Sequence, residues 1–179
     1  RMMKMKIKKI HHVAYRCINA KQTVEWYRKY LNMDFVLAIA ENQVPSTKAP
    51  DPYMHVFLDA GGGNILAFFE IPTYPSMGKD PNTPDWVQHL AFEIESLEEQ
   101  NEVKAKLESD GIDVVGPTNH TIFKSIYFFD PNGHRLELAV NTKTPEMDAR
   151  LDQVKWEMLE EWKQTKIAPD HARWMHERD

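Results

Sequence analysis

A single cysteine, Cys17, stands among the 179 residues, so no internal disulfide can form. A lone thiol fits a reducing compartment, and a cytoplasmic location is expected. Long apolar runs are also missing. None approaches the ~20 residues that a membrane-spanning helix needs, so no membrane partner is expected. Basic residues are nowhere dense: the net charge is −5, and the KMKIKKI start is a short cationic tip, which argues against nucleic acid. That start also lacks the apolar centre of a secretory leader, and none is expected. What is present belongs to a globular protein, with 42% hydrophobic and 11% aromatic residues. The length suits one domain, or two small modules sharing a core.

Residues 7–18, IKKIHHVAYRCI, alternate as a strand, with Ile10, His12, Ala14 and Arg16 on one side and Val13 and Tyr15 on the other. Asn19 is placed to cap a helix over 20–31, where Val24, Tyr27 and Leu31 recur at helical spacing. MDFVLAIA gives a second strand and ENQVPSTKAPDP a loop. YMHVFLDA and NILAFFEI then form a hairpin around Gly61-Gly62-Gly63. After the Pro- and Gly-rich stretch 71–85 the same order returns. WVQHLAFEI reads as a strand, and Ser96 with Glu99 makes a capping box for the next helix. Gly111 stops that helix, IDVVG is a short strand, and IFKSIYFFD and HRLELAV flank the turn Asp130-Pro131-Asn132-Gly133.

The order is therefore βαβββ, linker, βαβββ, the mark of an internal duplication. The expected fold class is α+β: two βαβββ modules side by side, forming a curled mixed sheet around a metal cleft. The modules run over 1–72 and 86–142, joined by a linker at 73–85. A helical extension, 143–179, follows. Its stripe Leu151, Val154, Met158 and Trp162, with Trp156, Trp174 and Met175 nearby, predicts packing on the domain or on a second subunit; a substrate lid is the alternative.

Four polar residues recur in step with the duplication. His12 and His89 lie in the first strands, as HVA and HLA, while Glu70 and Glu137 lie in the last strands, as FFEI and RLEL. A glutamate in an apolar strand is costly unless it is paired, ligated or solvated. Two imidazoles with one or two carboxylates make a mixed N/O donor set that suits Fe(II), Mn(II), Ni(II), Co(II) or Zn(II).

On these residues the chain resembles the vicinal oxygen chelate superfamily, which includes glyoxalase I, methylmalonyl-CoA epimerase, fosfomycin-resistance proteins and extradiol ring-cleaving dioxygenases. The resemblance spans roughly residues 7–142 and leaves the extension aside. It implies paired βαβββ modules and a divalent metal held by His12, His89 and Glu137, with Glu70 at a fourth position. His11 is the neighbouring candidate to His12. The small-molecule substrate would chelate the metal through two adjacent oxygens. Modules in this superfamily pair within or between chains, so a monomer and a homodimer both fit.

Residues 118–137 are similar to the signature of the extradiol enzymes: Thr118-x-His120, Ile126-Tyr127, Asp130-Pro131-x-Gly133 and Glu137. By that resemblance Tyr127 hydrogen-bonds a catecholate oxygen and His120 shuttles a proton, with Fe(II) as the metal. His134, just after the turn, is expected to face solvent. The alternative is a glyoxalase I-like lyase, isomerase or epimerase with four ligands and a glutamate such as Glu70 as base. The two differ in ligand count, since ring cleavage needs room for both oxygens of the diol and for O2. A non-catalytic binding or resistance protein is the third reading.

Overall fold

A computed structural model describes residues 3–177. The observed elements, in chain order, are β1 (Val13–Arg16), α1 (Ala20–Leu31), β2 (Asp34–Glu41), β3 (Tyr53–Asp59) and β4 (Ile65–Glu70). Then come β5 (His89–Ile94), α2 (Leu97–Ser109), β6 (Val115–Asn119), β7 (Phe123–Phe129), β8 (Arg135–Asn141) and α3 (Pro145–Thr165), before a short 3-10 turn over Arg173–His176. The duplicated βαβββ order and the C-terminal helix are as expected, and the class is α+β. Among the described residues no helix is long and apolar enough to cross a membrane.

The chain divides into two compact units. One comprises the chain up to Gln88 together with Phe129–Arg135; the other comprises His89–Phe128 and the chain from Leu136 on. The first unit holds a mixed sheet of order β1-β4-β3-β2, in which β1 runs parallel to β4 and the remaining pairs are antiparallel. Strand β2 lies at its edge, exposed along its whole length. A bulge interrupts its pairing with β3, because Phe35 faces Leu58 and Leu37 faces Phe57, leaving Val36 over.

One face of this sheet packs on α1. Asn19 caps that helix by accepting from the Gln22 amide at 2.8 Å, and Asn32 ends it in the left-handed region at φ 50. Tyr27, fully buried, meets Phe68 of β4 at 5.2 Å between ring centroids. Strand β1 is shorter than the expected 7–18. Its first residue, Val13, pairs with Leu66, the second residue of β4, so the pairing starts near the beginning of both strands.

The second unit holds a sheet of order β5-β8-β7-β6. Gln100 of α2 donates to the carbonyls of Lys124 (3.0 Å) and Leu138 (2.9 Å), tying the helix to β7 and β8 over a core of Leu107, Ile126, Phe128 and Leu136. A bulge separates Val115 from Thr118 in the β6–β7 pairing. Gly116 takes φ 110 there, and a Cβ at that position would come within 2.5 Å of the Ser125 carbonyl, so only glycine fits. In α3, Leu151, Val154 and Met158 are half-buried as the stripe predicts, whereas Trp162 and Trp156 are exposed. The chain then folds back on α3: Arg150 stacks on Trp174, and His171 reaches Glu157 and Glu161.

Candidate metal and proton-transfer site

Strand alternation places Ser125 and Tyr127 of β7 on the face of the second sheet away from the buried Ile126 and Phe128. Glu137 of β8 reaches the same face. It is only 3% exposed, and its Oε2 accepts from the Ser125 hydroxyl at 2.6 Å. Its Oε1 lies 3.1 Å from Nε2 of His89, the first residue of β5. A carboxylate this buried needs a partner, and here a serine and an imidazole provide one each.

The same pair fits a metal ion. Two donors bound at right angles to one cation, each at ~2.1 Å, stand about 3.0 Å apart, close to the observed spacing. Ser125 would then hold the second carboxylate oxygen in place. Among the described residues of either unit, no three His, Cys, Asp or Glu side chains converge as a ready metal cluster. The second unit contributes a pair.

Beside this pair stands a second one. His120 Nε2 and the Tyr127 hydroxyl are 2.6 Å apart, and the Tyr127 ring centroid is 6.3 Å from that of His89. Tyr127 is buried and His120 half-buried. A tight turn presents His120: its amide donates to the Phe123 carbonyl, and Thr121 follows at φ 72. The Thr121 hydroxyl donates to the Met175 carbonyl at 2.6 Å, while its own carbonyl accepts from the Thr142 hydroxyl at 2.8 Å. The C-terminal segment therefore braces the turn that carries His120.

In the first unit His12 directly precedes β1. Its Nδ1 is 2.8 Å from Nδ1 of His11. His12 also meets His55 of β3, at 6.3 Å between rings, and His55 stacks on Phe69 at 3.5 Å. Burial, and after it the neighbouring His12, lowers the His55 pKa.

Glu70 is elsewhere. Its Oε1 accepts from the Ala20 amide at 2.6 Å, at the N-terminus of α1, where a carboxylate complements the helix dipole. Strand parity gives the reason: Leu66, Phe68 and Glu70 face α1, whereas Phe69 faces His55 and His12. Glu70 is the last of six residues in β4 and Glu137 the third of seven in β8, so the two glutamates are not at equivalent positions. The structure brings His89 to Glu137 and His120 to Tyr127; it does not bring Glu70 to His12.

The turn Asp130–Gly133 serves the first unit. Asp130 accepts from Tyr27 (2.8 Å) and from the Asn132 and His134 amides (both 2.9 Å), and Asn132 accepts from the Ile18 amide at 2.7 Å. His134, expected to face solvent, is half-buried, with Nε2 bonded to the Arg16 carbonyl at 2.6 Å. Sequence reasoning passed over His55 entirely, because one histidine among Met54, Val56 and Phe57 carries no recurring pattern.

A family profile described as the Glyoxalase/Bleomycin resistance protein/Dioxygenase superfamily matches residues 9–138. Among solved structures, a glyoxalase family protein from Enterococcus faecalis is 30% identical; the likeness covers 75% of this chain and 99% of that one, with a TM-score of 0.55. A fosfomycin resistance protein from Listeria monocytogenes, solved with Mn(II), is similar at 19% identity, 80% and 99% coverage and a TM-score of 0.55. Glyoxalase I from Leishmania major is similar at 18% identity, 88% and 99% coverage and a TM-score of 0.55. These last two speak to the fold alone. No curated protein matches.

Proposed function

The chain belongs to the Glyoxalase/Bleomycin resistance protein/Dioxygenase superfamily, and from that premise we propose a metal-dependent vicinal oxygen chelate enzyme that opens a catecholic or related vicinal-diol substrate with O2. The observation that carries the reading is the 2.6 Å contact of His120 with Tyr127 on the sheet face that holds Glu137 and His89. The proposed ligands are His12, His89 and Glu137, and Fe(II) is the preferred ion among those that an N/O donor set accepts. Such an ion supplies the positive charge that stabilises two adjacent substrate oxygens as anions. In this reading the Tyr127 hydroxyl hydrogen-bonds one of those oxygens. His120, bonded to that hydroxyl, takes up the proton the phenol releases and returns it as the ring opens. Engagement of Glu70 by α1 favours a three-ligand set, which leaves room for both diol oxygens and O2. A glyoxalase-type isomerase, with Glu70 as fourth ligand and base, would have to give up that helix contact.

The test is reconstitution with Fe(II) under anaerobic conditions, followed by exposure to O2 and a catechol panel. Oxygen uptake with a yellow ring-fission product is expected. His120→Gln and Tyr127→Phe should lower kcat by roughly 10²-fold or more. His89→Ala should lose the metal, read by elemental analysis and by loss of metal-induced thermal stabilisation. Glu70→Gln should keep ring cleavage while lowering the melting temperature. Silence across the panel, with methylglyoxal–thiol adducts isomerised by the Ni(II) form and that activity abolished by Glu70→Gln, would replace this reading with the glyoxalase-type one.

A further inference from the structure

Helix α3 has three unlike sides. Leu151, Val154 and Met158 are half-buried on one. The returning chain covers a second, where Arg150 stacks on Trp174 and His171 reaches Glu157 and Glu161. The third is open. Asp152, Trp156, Leu159 and Lys163 follow one another at steps of four, three and four residues, which sets them in one stripe along the helix. All four are exposed, Trp156 by 74% and Leu159 by 58%. Trp162, also exposed, borders the stripe, with Lys166 over its ring at 6.0 Å. Large apolar side chains left open side by side mark a contact surface.

Charge decides what covers it. The stripe is acidic at one end, apolar in the middle and basic at the other. An antiparallel copy of the same helix matches that order. With Trp156 of one copy over Leu159 of the second, twofold symmetry places Leu159 over Trp156 as well. Four residues further along each helix, Asp152 then meets Lys163, once at either end. A parallel twofold pair would instead set Asp152 on Asp152 and Lys163 on Lys163. Within the chain Asp152 bonds Lys155, and Lys163 lies 3.5 Å from Glu160. Both are exposed pairs of small worth, readily exchanged for a contact across an interface. An anionic lipid surface fits less well, because α3 carries six acidic residues against three basic ones.

We propose that this stripe joins two copies of the chain through an antiparallel α3–α3 contact centred on Trp156 and Leu159. Sedimentation velocity of the full chain tests it. One helical stripe is a small interface, so the mass should double with a midpoint of about 1–100 μM. Trp156→Glu, with its fold checked by circular dichroism, should halve the mass reached at high concentration. Asp152→Lys and Lys163→Asp should each weaken association about tenfold, because like charges then meet at both ends. Mixed in equal amounts, these two variants should regain the parent's association, since each end again joins opposite charges. The chain carries −5, so both variants stay net negative and general attraction cannot account for that gain. The mixing experiment also keeps the proposal testable if Trp156→Glu fails to fold.

A parent mass that does not change with concentration would overturn the proposal. So would an unchanged mass in Trp156→Glu, or a mixture that associates no better than its two components. Binding of the parent to phosphatidylglycerol-containing vesicles in place of self-association, lost in Trp156→Glu, would assign the stripe to a lipid surface instead.

Discussion

Burial pushes the Cys17 thiol up to about 11; the Glu70 and Asp130 carboxylates push it the same way, and the Thr23 hydroxyl opposes them. In the unfolded chain the thiol ionises near its ordinary value of ~8.5. The native state therefore holds this proton more tightly, a contribution to stability that is complete below about pH 8.5 and is lost as the pH rises towards the folded value. Melting temperature should fall between about pH 9 and 11, less steeply in Cys17→Ala. Tyr27, also pushed upward by burial, is present in both proteins, and because the Cys17 thiolate adds to its upward shift, the difference in slope reports the thiol together with that coupling. An unreacted thiol in the native protein at pH 8, measured with an aromatic disulfide reagent, checks the same point. At this scale the sequence was legible where a residue recurs. His89 was singled out from the repeat; Glu137 was singled out by its likeness to Glu70, which the strand register does not support, and the structure brings His89 and Glu137 together. His55 was passed over and His134 was expected in solvent, because what defines each is a neighbour distant in sequence: Phe69 for one, the Arg16 carbonyl for the other.

The elements were legible in order and less so in phase. FFEI and RLEL look alike as strings, yet β4 ends on its glutamate while β8 carries its own near the start, and an odd offset reverses the face of a strand. Only the pairing register reveals that. The C-terminal extension was legible as a helix but not as a brace, because the Thr121–Met175 bond joins residues far apart in sequence. Its contribution can be read by Thr121→Val, which keeps the β-branched shape at φ 72 and deletes the donor. A loss of about 1 kcal/mol in denaturant titration is expected. If His120 acts as proposed, kcat should fall several-fold with KM nearly unchanged.

For the molecule as a whole, the repeat announced two modules, and the compact units do not divide at a single point of the chain. The first unit includes the β7–β8 turn, which supplies partners to Tyr27, Ile18 and the Arg16 carbonyl. A fragment ending at Gln88 lacks all three bonds. It should melt well below the full chain by circular dichroism or fail to fold, and a melting temperature equal to that of the intact protein would show the turn to be dispensable. Edge strand β2 has a different consequence. Phe35, Val36, Leu37 and Ile39 lie open there, on a strand with one unpaired side, which is the template on which copies of a chain stack into fibrils. The surplus residue Val36 puts that template out of step with a copy of itself, and Asp34 and Glu41 place like charges at its two ends. A surplus residue on an exposed edge is one of the devices that work against such stacking.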